Sequence, residues 1–267
     1  MKKIKNIPSK IYIALVMVFL YLPIAVLIVY SFNDGKTSVW KGFTLKWYVE
    51  LFNNDAIMSS LYNTLIIAAL AALISTVRGT AAAIGINNFK GIKRSLIINL
   101  SNMPIINPEI VTGVSFMLMF SFAGTMLGFE MGFGTVLLAH ISFCVPYVIL
   151  NVTPKLRQMD PAIYEAALDL GCNPFKAFVK VVLPQIMPGV MSGLLMSFTY
   201  SLDDFVITYF TRGSRFQTLP IEIYTMLRRR ISPTINALST LLFVVTLAIL
   251  IFVNIRDRRA EKAAQAR

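Results

Sequence analysis

The chain has 267 residues, 56% of them hydrophobic and 14% charged, too apolar and too sparsely charged for a soluble globular domain. Its formal net charge is +12, yet the basic residues are not spread as a nucleic-acid surface requires. They gather at Lys2, Lys3, Lys5 and Lys10, at Lys90, Lys93 and Arg94, at Lys155 and Arg157, and at Arg256, Arg258, Arg259 and Lys262.

A hydrocarbon core about 30 Å thick takes about 20 apolar residues per helix. Six segments reach that length, at residues 11–32, 61–86, 96–122, 134–152, 189–211 and 234–255. They predict an all-α integral membrane protein whose single transmembrane domain covers residues 1–267. No barrel-like strand alternation competes with that reading. The basic clusters fall at alternate ends of successive spans, which by the positive-inside rule places both termini and the interval 160–188 in the cytoplasm. The first run is longer than a signal-peptide core and no small-x-small site follows it, so it is read as a retained span.

In chain order, the loop at 33–56 carries Trp40, Phe43, Trp47 and Tyr48 at a spacing that predicts interfacial anchoring. Span two holds Arg78, close enough to the cytoplasmic end to snorkel, and an alanine-rich run over 68–83 suited to close helix packing. Span three is irregular: Asn99, Asn102, Pro104, Asn107, Pro108 and Glu109 interrupt it. Asn107 is read as a cap, Pro108 as first-turn proline and Glu109 as first-turn acid, so a helix restarts inside the membrane. Interrupted spans of this kind line binding sites, because non-helical backbone at that depth must be buried in protein or wetted.

Span four contains His140, which has no metal-ligand spacing around it and is assigned a packing role, and Cys144, which with Cys172 gives no disulfide framework. Span five has Gly189, Gly193, Ser197 and Ser201 at steps of four, a stripe for close approach of a neighbouring helix. On a continuous helix Asp204 and Tyr200 fall near that stripe, and Asp203 points away by roughly 100°. Counted from the cytoplasm, Glu109 and Asp204 lie roughly 20 and 23 Å deep at 1.5 Å per residue. Three acids facing lipid there would cost about 8–10 kcal/mol, so a cavity, a partner helix or a cation must meet them. No basic residue of any span sits at that depth. Beyond span five, Arg212, Arg215, Arg228, Arg229 and Arg230 fall outside, against the positive-inside rule. The intervening stretch is read as an interfacial or re-entrant helix.

The interval 160–188, DPAIYEAALDLGCNPFKAFVKVVLPQIMP, has the spacing of two short helices joined by a turn. Asp160 caps the first with Pro161 at its first position, and Gly171 is placed to end it as a left-handed cap. Asn173-Pro174 repeats the start, and Pro184 is expected to stop the second helix. Glu165-Ala166-Ala167, then Gly171, then Val181-Val182-Leu183-Pro184 resembles the EAA loop of permease subunits of bacterial ATP-binding-cassette importers. That family usually has isoleucine where this chain has Val181.

The resemblance extends to KWYVELFNND near 46, NPEIV near 107, HISFCVPYV near 140, SLDDFVITYF near 201 and the stretch at 232–238. These look like the C-type permease subunit of spermidine/putrescine importers over nearly the full chain. The resemblance implies a six-helix, MetI-like permease architecture in a bacterial inner membrane, with Tyr164, Glu165, Ala166, Ala167, Asp169, Gly171 and Pro174 as ATPase-coupling residues. It implies a second permease of similar fold, two copies of a cytoplasmic ATPase and an extracytoplasmic polyamine-binding protein. ATP and Mg are then held by the ATPase and no cofactor by this chain, which has no Gly-x-x-x-x-Gly-Lys-[Ser/Thr] loop for nucleotide phosphates. Glu109, Asp203 and Asp204 match acidic positions of the family, which commonly has aspartate at the first. With Tyr200 available for cation–π contact, they are read as a substrate path for a linear polyamine. A permease for another solute such as thiamine, iron or an anion shares the EAA loop and remains an alternative, as does an ATPase-independent secondary transporter.

Overall fold

The computed structural model describes residues 7–35, 39–229, 233–247 and 251. Lys2, Lys3, Lys5, Arg230, Ser232 and the basic cluster at Arg256, Arg258, Arg259 and Lys262 lie outside the described residues. Among the described residues every regular element is helical, and the single bridge, Asn33 with Phe43, belongs to a loop. Helices satisfy their backbone polar groups internally, which is what an apolar solvent demands.

The chain forms two compact units, Ser59–Glu222 and the combination of Met1–Met58 with Ile223–Arg267. In the latter, α1 (Ile7–Tyr30) carries Pro23 inside it and is followed by an ordered polar knot. The Ser31 hydroxyl donates to the Ile28 carbonyl (2.6 Å) and pairs with the Tyr48 hydroxyl at 2.7 Å. Asn33 is fully buried, accepts from the Gly35 and Lys41 amides, and receives the Trp47 indole N–H on its carbonyl at 2.8 Å. Lys46, at the start of α2 (Lys46–Phe52), pairs with Asp34. The aromatic loop therefore divides. Trp47 and Tyr48 are structural members of the knot, whereas Trp40 and Phe43 remain exposed as interfacial anchoring requires.

In the larger unit, α3 (Asp55–Asn87) is helical well before the expected start of span two. Its alanines at 68, 71, 72 and 83 are buried, and a Cβ on Gly79 would lie 2.5 Å from Val148 Cβ, so the contact that the small residues predict is made against α6. Span three is two helices, α4 (Gly91–Ile106) and α5 (Glu109–Leu127). The restart falls where the sequence places it, but the cap differs. Pro108 occupies the cap position and Asn107 ends α4 in an extended conformation, so no side chain caps α5. After a short turn α6 (Phe133–Gln158) returns.

Then α7 (Pro161–Asp169) and α8 (Pro174–Ala177) form the two-helix interval. Pro184 does not stop the second helix. The chain passes through one π turn, Phe178–Val182, closed by the Leu183 amide on the Phe178 carbonyl, and continues as α9 (Leu183–Asp203). A wider turn admits a proline that offers no N–H, so Pro174–Asp203 is one continuous helical segment of 30 residues.

Helices α6 and α9 pack along their length, and α9 presents Gly189, Gly193, Ser197 and Ser201, all buried, as the step-of-four spacing predicts. A Cβ on Gly189 would lie 2.6 Å from the Asn151 carbonyl oxygen and one on Gly193 3.1 Å from Val148 Cα. The register pairs residue 189 with 151 and 193 with 148, so the helices run antiparallel. Their seam continues into a core of Ala83, Val148, Val152, Leu156, Val182 and Ile186.

Span five is not the continuous helix expected over 189–211. It breaks after Asp203 and restarts as α10 (Val206–Thr211). An amphipathic helix, α11 (Leu219–Arg229), occupies the stretch read as interfacial, and the Leu219 amide bonds the Thr64 hydroxyl at 2.7 Å. The last described helix, α12 (Pro233–Leu247), is apolar but shorter than a full span, its expected continuation lying mostly outside the described residues. Among the described residues, five helical segments, with the α8–α9 rod counted as one, are long and apolar enough to cross a membrane.

Candidate functional site

Two helix breaks meet at one cavity. It has a volume of about 280 Å³ and is lined by Pro104, Asn107, Glu109, Tyr147, Tyr200, Asp203 and Asp204, with Ile105, Thr112, Phe143 and residues 205–207 completing the wall. Every side chain assigned to the substrate path thus lies on one surface. No lysine or arginine is among the lining residues. Tyr147, one turn beyond Phe143 on α6, was not singled out by the sequence. It stacks on Tyr200 with ring centroids 4.3 Å apart, giving the cavity an aromatic side opposite in character to its acids.

The two aspartates divide. Asp203 is the last residue of α9 and is exposed. Asp204 has its side chain 6% exposed and faces inward. Its Oδ1 accepts the Ile207 amide (3.2 Å), and its Oδ2 accepts the Thr208 amide (2.8 Å) and the Thr208 hydroxyl (2.7 Å). Asp204 therefore caps the start of α10 with its side chain, one residue ahead of the N-cap position that Phe205 holds. The wheel that puts it beside Ser197 assumes a helix that has already ended. His140 lies beside this cap, its Nε2 3.4 Å from Asp204 Oδ2 and 2.8 Å from Thr208 Oγ1, its Nδ1 2.6 Å from Ser201 Oγ. The histidine is buried and bonded on both nitrogens, and Phe143 packs edge-on against it at 5.2 Å. Among the described residues no three His, Cys, Asp or Glu side chains gather in a metal-binding group.

The second site is at the other end of the 30-residue rod. Asp160 accepts from the Ala162 amide (3.0 Å), and Asn173 accepts from the Lys176 amide (2.8 Å) with Pro174 next in line. Gly171 has φ of 82°, its amide bonds Leu168 O and the Cys172 amide bonds Ala167 O, which together make a Schellman cap. The turn leaves Leu170 85% exposed and Phe175 73% exposed, with Ile163 and Ala166 beside them, while Ala167 is buried. Asp169 and Glu165 are exposed. Tyr164 packs onto the Val152, Leu156, Val182 and Ile186 core, and with Glu165 it lines a cavity of about 440 Å³ that also includes Asn87, Asn88 and Met159. All seven residues assigned to ATPase coupling lie on this one projecting turn or the helices flanking it.

Of the arginines beyond span five, Arg212 stands over the Tyr209 ring of α10 at 6.0 Å and Arg228 over the Tyr224 ring of α11 at 5.8 Å.

Residues 75–262 match the model of the family described as binding-protein-dependent transport system inner membrane component. The putrescine transport system permease protein PotI of Escherichia coli K12 is 40% identical over 228 residues, covering 84% of this chain and 81% of that protein. The spermidine/putrescine transport system permease protein PotC of the same strain is 36% identical, covering 87% of each. PotC of Haemophilus influenzae is 34% identical, covering 91% of this chain and 94% of that one. Among solved structures, a bacterial ABC transporter that imports the acidic polysaccharide alginate shares the fold with a TM-score of 0.67 at 19% identity, covering 95% of this chain and 93% of that chain. The inward-facing MetNI methionine ABC transporter does so with a TM-score of 0.59. With most of its length matched by the family model and by close relatives, the chain belongs to the inner-membrane permease components of binding-protein-dependent transport systems.

Proposed function

We propose that the chain is one permease half of an ATP-driven importer of linear polyamines, putrescine or spermidine, and that the cavity between the two broken spans is its half of the substrate path. The observation that carries this reading is the lining: three carboxylate residues and a stacked tyrosine pair with no cationic side chain among them. Amines of a diamine or triamine match the acids, and its methylenes and cationic ends match the aromatic faces. The names of PotI and PotC support the same substrate class. The alginate importer shares the fold and carries a polyanion, so the fold alone does not choose the solute.

In this mechanism the partner ATPase, with its ATP and Mg, closes onto the turn around Ala166 and Gly171. Two ATPase copies, a second permease and an extracytoplasmic binding protein complete the importer, with both termini of this chain cytoplasmic. Motion of α7 passes through Tyr164 into the α6–α9 core and along α9 to the cavity, switching access from outside to inside. Substrate released from the binding protein meets Glu109 and Asp203 in a cavity from which it must also leave, so each acid binds it weakly.

Reconstituted with its partners, the chain carrying Glu109→Gln or Asp203→Asn is expected to take up putrescine at least about tenfold more slowly, the loss of one charge-assisted contact, while the ATPase still co-purifies. Uptake at the parental rate by the double variant would remove the acidic path, and uptake of thiamine in place of putrescine would move the assignment to another solute.

A further inference from the structure

The bonds around His140 fix the proton on one of its ring nitrogens. Thr208 Oγ1 has one hydrogen, and it is given to Asp204 Oδ2 at 2.7 Å. Toward His140 Nε2, 2.8 Å away, the same oxygen must therefore accept, so Nε2 carries a hydrogen. On the other side of the ring, Nδ1 pairs with the Ser201 hydroxyl at 2.6 Å. The result is a hydrogen-bonded chain from Ser201 through His140 and Thr208 to Asp204, entirely buried except for the Asp204 edge that touches the cavity.

This chain crosses a structural gap. Ser201 lies in α9, before the break in span five, and Thr208 lies in α10, after it. Between them the backbone is non-helical at Asp204 and Phe205. The imidazole comes from a third element, α6, and ties the two pieces together. The Asp204 carboxylate also receives the Ile207 and Thr208 amides, so with the threonine hydroxyl it accepts three hydrogens. Asp203 has no such fixing partner in this chain of bonds and is the exposed member of the pair.

We propose that His140 is a positioning residue for transport: by bridging α9 and α10 it commits Asp204 to the helix cap and sets Asp203 as the free carboxylate that faces the cavity. The proposal rests on the reading of that cavity as the substrate path. It assigns different roles to two adjacent identical side chains, and it places the determinant of that difference on a residue that does not touch the substrate.

The test uses the whole transporter in proteoliposomes and separates shape from hydrogen bonding. His140→Gln keeps an N–H near the reach of Nε2, His140→Phe keeps bulk without donors, and Thr208→Val keeps shape without the hydroxyl. The expected result is putrescine uptake within about threefold of parental for His140→Gln, and a loss of about tenfold or more for His140→Phe and for Thr208→Val, the equivalent of a buried hydrogen bond. Because the two act in one chain, the His140→Phe/Thr208→Val double variant should be no slower than the slower single one. ATPase co-purification is retained in all of them.

A second measurement does not depend on the solute. With Cys144→Ser and Cys172→Ser as background, Asp203→Cys should react readily with a cationic thiol reagent, and His140→Phe should slow that reaction about tenfold as the side chain leaves the cavity. Parental uptake by His140→Phe, equal loss in the glutamine and phenylalanine variants, or unchanged labelling of position 203 each overturns the proposal. If uptake is of another solute but labelling responds as stated, the positioning role stands and only the polyamine assignment fails.

Discussion

Asp203 and Asp204 are neighbours in the chain with opposite surroundings, and the difference is measurable as stability. Replacing Asp204 by alanine removes the side-chain cap of α10, a loss of about 1 kcal/mol, and strands the Thr208 hydroxyl, which costs about 1–3 kcal/mol more. The purified complex should melt several degrees lower for Asp204→Ala, a shift of the size these energies give, whereas Asp203→Ala should melt with the parent. Equal melting of the two variants would contradict the cap. The sequence carries only a weak signal for this break. Asp-Asp ahead of VITYFT is a cap-like start, but no glycine or proline marks it, and a continuous wheel through residue 204 hid it. His140 is the complementary case. Its packing role was legible from the lack of ligand spacing, but its bonds to Ser201 and Thr208, 61 and 68 residues away, follow only from the antiparallel register of the fold.

At the scale of elements, local grammar was readable wherever a cap or a small-residue stripe set the geometry. Asp160-Pro161, Gly171 and Asn173-Pro174 all take the positions their chemistry predicts. Gly171 has nothing within 4 Å of where a Cβ would stand, so backbone strain alone limits it. Gly171→Asn should therefore keep ATPase binding, and Gly171→Val should weaken it, given a left-handed cost of about 1–2 kcal/mol. Co-purification of the ATPase with each variant checks this. Gly189 is limited differently, by the Asn151 carbonyl. Gly189→Ala must separate α6 from α9, which costs about 1–3 kcal/mol of overpacking, and should appear as a lower melting temperature. The π turn was not legible. Pro184 reads as a stop in any helix grammar, and only the tertiary seam of α9 on α6 makes it worthwhile for the chain to continue through a widened turn.

For the whole molecule, length and hydropathy identified the membrane class and the order of spans, because backbone satisfaction in lipid leaves few alternatives. The break in span three was legible from Asn107-Pro108-Glu109, but not the break in span five or the meeting of the two at one cavity, since depth estimates from span ends bring residues to a level without bringing them to a point. Nor did they identify Tyr164 as the side chain that joins the α7–α8 turn to the core. Tyr164→Ala should leave the exposed Leu170 and Phe175 surface intact and the ATPase bound, yet lower putrescine uptake per ATP hydrolysed by about tenfold, equivalent to about 1.4 kcal/mol of lost coupling. An unchanged ratio of uptake to hydrolysis would place the link elsewhere.

The continuous segment from Pro174 to Asp203 has a consequence for timing. Thirty residues at 1.5 Å each make a strut about 45 Å long, with the proposed ATPase contact at one end and the free carboxylate at the other. A strut that stays helical throughout carries a push at its foot to its head along one element. Its soft places are the π turn near the foot, where one hydrogen-bond register is offset, and Pro188 near its middle, which has no N–H to give. Under the proposed function, a strut of this kind ties the release of substrate at Asp203 to the moment when the ATPase seizes the turn at its foot.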